Sequence, residues 1–501
     1  MVELAWADFL DIPILQWLQI LPLLGGCAAY LLRERAVAVW VGRVTAGLEL
    51  ALAIRLYLLV DAGSAALQLS ERMDVIGYHV AADGVSTLFV LLAALLFFLL
   101  SFYGLVQGLA SAGRVTAAVL AAEGALMASL LTLNLAWFIA SSAAELGLVA
   151  YLLGRWSTST EENRALAMAR FVQFQGFGLA LLVAGAVILG WNHADVTEGQ
   201  WSFDLLDLAR TPPEGGYLSA AFFLLFYGLG IRTPIFPLHG WLPHVAHRGM
   251  VAVAPVLLLG VKVGVYGMVR FLLPLTPGAV AAWQGYVVAF AMAGVFYTAA
   301  LAFLQTNLRR LLSFAVVSHT SLIVIGLFTL DASGLQGAVL LAVNFGLAAT
   351  VMLFMVGFVF RRTRTTDLDR LGGLFDRIPF IAGSFLVGGL AIVGMPGTPG
   401  FDAAHLVLEA SIHRFGALPT VATALGNVAA AGFLLWAFQR AFLGPASEGG
   451  PTTAVERTGL MEYFVGGVAV LVLLAAGFYL EPWFNLTEAA LRALADRFVQ
   501  V

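Results

Sequence analysis

The stretch Leu88-Phe89-Val90-Leu91-Leu92-Ala93-Ala94-Leu95-Leu96-Phe97-Phe98-Leu99-Leu100 contains no polar side chain. A helix or strand with one wet face shows a periodic break in such a run, and this one shows none. A membrane span needs about 20 mostly apolar residues, and comparable stretches recur along all 501 residues. Backbone groups in lipid must be satisfied internally, which leaves helices or a closed barrel. A barrel shows alternating segments of about 10 residues, so unbroken runs select helices. Composition agrees: 61% of the chain is apolar and 11% charged, where soluble domains carry about 25% charged residues. The expected fold is an all-α polytopic membrane protein with about fourteen transmembrane helices.

The spans are expected at 13–32, 37–60, 82–107, 114–133, 134–154, 166–192, 218–236, 251–272, 280–304, 309–330, 334–360, 379–414 (interrupted), 417–442 and 461–480. The first, with 15–32 at its core, is too long for a signal-peptide h-region and lacks a basic n-region. A terminal helix at 486–499 carries Leu491, Leu494 and Phe498 at steps of three and four. That amphipathic pattern suits the membrane interface. Arginines divide about 15 to 6 between alternate loops, with Arg270 among the six. The positive-inside rule then puts both termini on the non-cytoplasmic side. The lone cysteine, Cys27, excludes an intrachain disulfide. The net charge of −4 says nothing about nucleic acid, and no nucleic-acid partner is expected.

Two spans are expected to be broken. Thr233-Pro234-Ile235-Phe236-Pro237 ends one, and Gly394-Met395-Pro396-Gly397-Thr398-Pro399-Gly400 interrupts another. Proline removes a backbone donor and clashes with the preceding turn. Such backbone is tolerated at membrane depth where it lines a cavity, and paired breaks point to a transport site. The plainer reading of each is a loop between shorter spans.

Charge at the bilayer centre costs several kcal/mol, so each buried charge needs a reason. Glu145 and Lys262 both lie among apolar neighbours, and Lys262 is the only lysine among 26 basic residues. A desolvated lysine can gain and lose a proton. Arg232, at the first break, is a fixed charge because guanidinium stays protonated. His319, beside Ser318 and Thr320, is a candidate carrier because histidine as a type titrates near neutral pH; its plainer reading is a neutral core histidine with one hydrogen bond. Asp402, His405 and Glu409 share one helical face beyond the second break. They form a candidate exit cluster, whose plainer reading is a wet span end. Glu123, Asn344 and His239 are accessory polar groups. His239, His244 and His247 invite a metal reading, but Pro243 breaks their helical spacing and no HExxH pattern occurs. No metal site and no nucleotide or other cofactor site is expected.

The run Pro237-Leu238-His239-Gly240-Trp241-Leu242-Pro243 resembles a signature of the proton-conducting membrane subunits of respiratory complex I and of Mrp-type antiporters. Leu258-Leu259-Gly260-Val261-Lys262, Tyr266-Gly267-Met268-Val269-Arg270-Phe271, Gln305-Thr306-Asn307-Leu308-Arg309-Arg310-Leu311, Val317-Ser318-His319 and Gly394-Met395-Pro396-Gly397 extend the likeness. It covers about residues 75–445 and is greatest to complex I subunit M. The resemblance implies two inverted five-helix repeats with broken helices at Pro234, Pro237, Pro396 and Pro399. It divides the chain into 1–112, a first repeat 113–272, a second repeat 273–442, and a last helix with its tail at 443–501. It also implies that Glu145 belongs to a charge pair, Lys262 is the central lysine and His319 continues a hydrated axis. The chain departs from the family at four places. Arg232 stands for the pair's lysine, the second central histidine falls near Asn344 and Phe345, the terminal glutamate aligns with Ala404, and Arg248-Gly249-Met250 replaces an alanine-proline run in the loop after His239.

The expected function is proton or cation translocation in a complex I-like assembly of a bacterial inner membrane, with other membrane subunits as partners. An inorganic-carbon uptake subunit paired with a carbonic-anhydrase-like protein is the alternative. A structural scaffold that has lost conduction is a third reading, against which the retained Lys262 argues.

Overall fold

The structure, a computed structural model, describes residues 3–5, 12–32, 36–107, 112–156, 160–249, 260–445 and 455–499. Helices α1 (Ile14–Leu31), α2 (Ala36–Leu59), α3 (Gly84–Gln107), α4 (Ala112–Leu131), α5 (Leu135–Arg155) and α6 (Glu161–Val196) follow in order. Next come α7 (Leu205–Arg210), α8 (Gly215–Arg232), α9 (Leu242–Arg248), α10 (Val263–Leu275), α11 (Pro277–Phe303), α12 (Leu308–Leu327) and α13 (Ala332–Thr363). The chain ends with α14 (Pro379–Ile392), α15 (Pro399–Phe415), α16 (Ala417–Leu443), α17 (Leu460–Phe478) and α18 (Glu481–Val499). Among the described residues twelve helices are long and apolar enough to cross a membrane, and α10 and α14 are shorter apolar helices. The residues 251–259 of the expected eighth span lie outside the described ones.

Helices α12 and α13 are buried nearly all round, whereas α6 and α17 keep most of their surface outside the fold. On α16, Leu418, Val421, Leu425 and Val428 are exposed at steps of three and four. That is the period of one helical face, here turned to lipid.

Both expected breaks exist, and side chains satisfy the carbonyls they free. The Trp241 indole donates to the Ile231 carbonyl at 3.1 Å. Asn344 and Asn427 donate to the carbonyls of Ala391 at 2.9 Å and Val393 at 3.0 Å. The backbone turns alike at each break: Ile235 N–H bonds Gly230, and Met395 N–H bonds Leu390, both at 3.0 Å.

A second likeness is more local. Asn134 caps α5 by accepting from Ala136 and Trp137, and Asn307 caps α12 by accepting from Arg309 and Arg310. Each asparagine also makes a β-bridge to an aspartate, Asp204 or Asp367. Asn134 lies beside β3 (Tyr78–Ala82), through Leu133 N–H to the His79 carbonyl. Asn307 follows α11 at the opposite face of the bundle.

The sequence reading missed a small sheet. β1 (Glu3–Ala5) pairs parallel with β2 (Leu67–Met73), which pairs antiparallel with β3. The alternation Leu67-Gln68-Leu69-Ser70 was the available signal. The terminal helix also differs from expectation. Its apolar face packs on α3 and α13, and Gln336 donates to the Phe484 carbonyl at 2.8 Å.

His79 ties this sheet to the bundle. Its Nδ1 meets Asp204 at 2.5 Å and its Nε2 meets Glu3 at 2.6 Å. Burial alone would lower the imidazole pKa, but the Asp204 hydrogen bond and the charges of Asp204 and Glu3 outweigh it and raise it above 6.5. Burial would raise Asp204, yet the His79 hydrogen bond and charge bring it below 3.8. The raised histidine contributes fully below its unfolded value and loses that contribution as pH rises through its folded one. The depressed aspartate contributes above its unfolded value and loses it as pH falls through its folded one. The tie is therefore strongest in mildly acidic solution. Amide exchange in β3 is expected to quicken, beyond the intrinsic rate change, on going to alkaline pH. His79→Gln removes that extra dependence. A pH-independent protection factor in the unmodified chain contradicts this reading.

Candidate functional site

The buried charges fall on helices that meet near the two breaks. Glu145 lies at the middle of α5, and Arg232 is the last residue of α8. The Arg232 guanidinium donates to the Glu145 carboxylate, with side chains 8% and 2% exposed. Arg232 Nε and Nη1 have no hydrogen-bond partner among the described residues. These two buried donors call for partners such as water.

Lys262 immediately precedes α10, in the second half of the expected span 251–272, whose residues 251–259 lie outside the described ones. Its Nζ donates to Thr320 Oγ1 at 2.7 Å. The Thr320 hydroxyl in turn donates to the Val316 carbonyl at 2.7 Å. The ammonium also lies 4.2 Å from the centre of the Phe345 ring, a cation–π contact worth about 2 kcal/mol when desolvated. His319 stacks on the same ring, with centroids 5.1 Å apart. The aromatic at 345 thus touches both candidate carriers and can itself carry no proton.

Neither nitrogen of His319 has a partner among the described residues. The imidazole lines a cavity of about 20 Å³ with Gly394, Gly400, Ala404 and Asn427 from the second break and α16. That holds about one water. Asn344 Oδ1 and Asn427 Oδ1 are unpaired as well. Arg232, His319, Asn344 and Asn427 thus keep open polar atoms, which a hydrated path requires.

The candidate exit residues lie elsewhere. Asp402 is half-buried, while His405 and Glu409 are exposed on α15. Glu409 lines a pocket of about 450 Å³ with Asp331, His413 and Arg414. None of the three lines the His319 cavity, where the chain presents Ala404 instead. His239 is buried among aromatics with Nδ1 unpaired. Among the described residues no three His, Cys, Asp or Glu side chains converge as metal ligands. Glu123 is buried on α4.

Arg270, counted on the outer side in the arginine tally, is buried in α10 and bonds Asp83 at 2.8 Å and the Tyr266 hydroxyl at 3.1 Å. Its place eight residues after Lys262 in the same span was the overlooked signal.

The family model for NADH:quinone oxidoreductase/Mrp antiporter transmembrane proteins matches residues 135–428. The chain belongs to this family. The match begins at the capped start of α5 and ends in α16, so it encloses both breaks and the whole row of buried charges. Subunit M of the NADH-quinone oxidoreductase of Escherichia coli (strain K12) is 28% identical over 504 residues, covering 97% of this chain and 98% of that protein. Its counterpart in Pseudomonas aeruginosa is 29% identical over 514 residues, at 96% and 97% coverage. Respiratory complex I from Thermus thermophilus with bound NADH contains a chain that superposes with a TM-score of 0.86 at 26% identity, covering 97% of this chain and 100% of that one. A chain of the Mrp complex from Dietzia sp. DQ12-45-1b gives 0.85 at 17% identity, with 98% and 99% coverage, which is a likeness of fold.

Proposed function

We propose that this family member is a proton-translocating membrane subunit of a complex I-like multi-subunit assembly. The observation that carries the reading is the buried row Glu145–Arg232, Lys262–Thr320 and His319, with its open polar atoms. The relatives named as quinone oxidoreductase subunits favour this reading over inorganic-carbon uptake. Other membrane subunits are its partners and the lipid bilayer its surroundings.

The chain is read as two inverted repeats, 113–272 and 273–442, after an opening unit 1–112 and before a closing unit 443–501. The matched caps at Asn134 and Asn307, on opposite faces, support this division. Both termini are placed on the non-cytoplasmic side of a bacterial inner membrane, on the arginine bias of the loops.

Glu145 is held by a guanidinium that cannot release its proton. The pair therefore acts as a field on Lys262, and the lysine is the first carrier. A change in the hydration or position of the pair alters that field, and Lys262 passes its proton through water to His319. From the His319 cavity the proton leaves toward the pocket at Glu409, with Asp402 and His405 on the same helix. Nitrogen carriers suit protons better than sodium, which prefers oxygen ligands. Phe345 sets the slow step, since water must pass its edge. Phe345→His is therefore expected to raise proton flux severalfold in vesicles holding the assembled complex. An unchanged flux with the complex intact removes Phe345 from the path.

A further inference from the structure

A buried pair of glutamates lies in the first four helices. Gly42 of α2 approaches α4 so closely that a Cβ there would collide with Thr116. Helices α2 and α4 are separated in sequence by the single span α3, so they cross the bilayer in the same direction. Seven residues beyond Gly42 is Glu49, and seven beyond Thr116 is Glu123. Seven residues make nearly two helical turns, so both side chains return to the same seam. Each glutamate is 0% exposed. None of the four carboxylate oxygens has a hydrogen-bond partner among the described residues, and the two groups interact electrostatically.

The surroundings offer little counter-charge. Helices α1 and α3 carry no Asp, Glu, Lys, Arg or His. On α2, Arg43 lies over the rings of Trp40 and Phe102 at 4.7 and 5.1 Å, and Arg55 is exposed. On α4, Arg114 sits nine residues from Glu123. On α5, Glu145 is taken by Arg232. Two bare carboxylates here would each lose hydration and repel the other, at a cost of several kcal/mol per ion. Like charges that share a site resolve this by keeping a proton between them.

We propose that Glu49 and Glu123 form a proton-binding site off the main axis, the two carboxyls sharing one exchangeable proton across the α2–α4 seam. Binding leaves one O–H donating to the opposite carboxylate, and release returns both groups to the ionised form. The pair titrates as a unit, in two macroscopic steps. The site stands whether or not the Lys262 row conducts.

The test is infrared spectroscopy of the full chain in lipid vesicles across a pH titration, in light and heavy water. The expected result is a protonated-carboxyl band that shifts on deuteration, disappears in E49Q/E123Q and changes frequency in E123Q alone. A Lys262→Ala chain keeps the band, which separates this site from the axis. Should the double variant fail to fold, the unmodified chain carrying isotope-labelled glutamate gives the same reading through a labelled, titrating band. A band that persists in E49Q/E123Q, the absence of a labelled band, or one abolished by sodium but not by choline overturns the proposal, the last in favour of a bound cation.

Discussion

Glu145→Gln is expected to destabilise the folded chain by about 3–5 kcal/mol, the cost of stranding one member of a buried ion pair. The stranded member is Arg232, whose guanidinium is always charged and only 8% exposed at its side chain. It has two further nitrogens without protein partners, so no other described group stands ready to replace the carboxylate. Removing both charges behaves differently, because an uncharged pair of similar volume leaves nothing unpaired. Glu145→Gln combined with Arg232→Met should recover most of the lost stability. Thermal unfolding of the solubilised chain reads both. Equal losses in the single and the double variant would mean that the pair's energy lies in packing. Flux should be lost in both variants, which separates the structural role of the pair from its electrical one.

Lys262→Ala is expected to reduce proton flux at least tenfold, equivalent to about 1.4 kcal/mol or more added to the barrier. Between the Glu145–Arg232 pair and His319 the row offers no other titratable side chain. Thr320 remains, but its hydroxyl donates to the Val316 carbonyl and has only acceptor capacity to spare. Phe345 would then close over the vacated space with no cation at its face. The expected readout is the pH change inside vesicles that hold the assembled complex, with subunit content checked on the same preparation. Unimpaired flux at full subunit content would place the path elsewhere in the assembly.

The sequence carried the helical membrane fold because the cost of unpaired backbone in lipid leaves few options for runs such as Leu88 to Leu100. It also carried both breaks, because proline and glycine act on the local backbone wherever they stand. The row of charges was legible for a related reason: a lone Glu145 or Lys262 amid apolar neighbours is expensive enough to need a role. What touches each charge was not legible. Thr320 and Phe345 reach Lys262 from two other helices, and spacing along one helix says nothing about contacts between helices. The partner of Arg270 was not legible either, because a hydropathy profile cannot tell a span end facing water from one facing Asp83. The Asp402, His405 and Glu409 trio shares a helical face, as its spacing required, yet periodicity alone could not say that His405 and Glu409 lie at the surface. The sheet was hidden because β1 is only three residues long and pairs with a strand distant in sequence.

The central claim is that Lys262 itself carries the proton, beyond supplying a positive charge to the fold. Lys262→Arg separates the two roles, since guanidinium keeps the charge and the donors but does not release a proton. The measurement is proton flux through the assembled complex in vesicles, compared between the unmodified chain and Lys262→Arg at matched subunit content. The expected result is a correctly assembled complex whose flux falls as far as that of Lys262→Ala. Flux equal to that of the unmodified complex would contradict it.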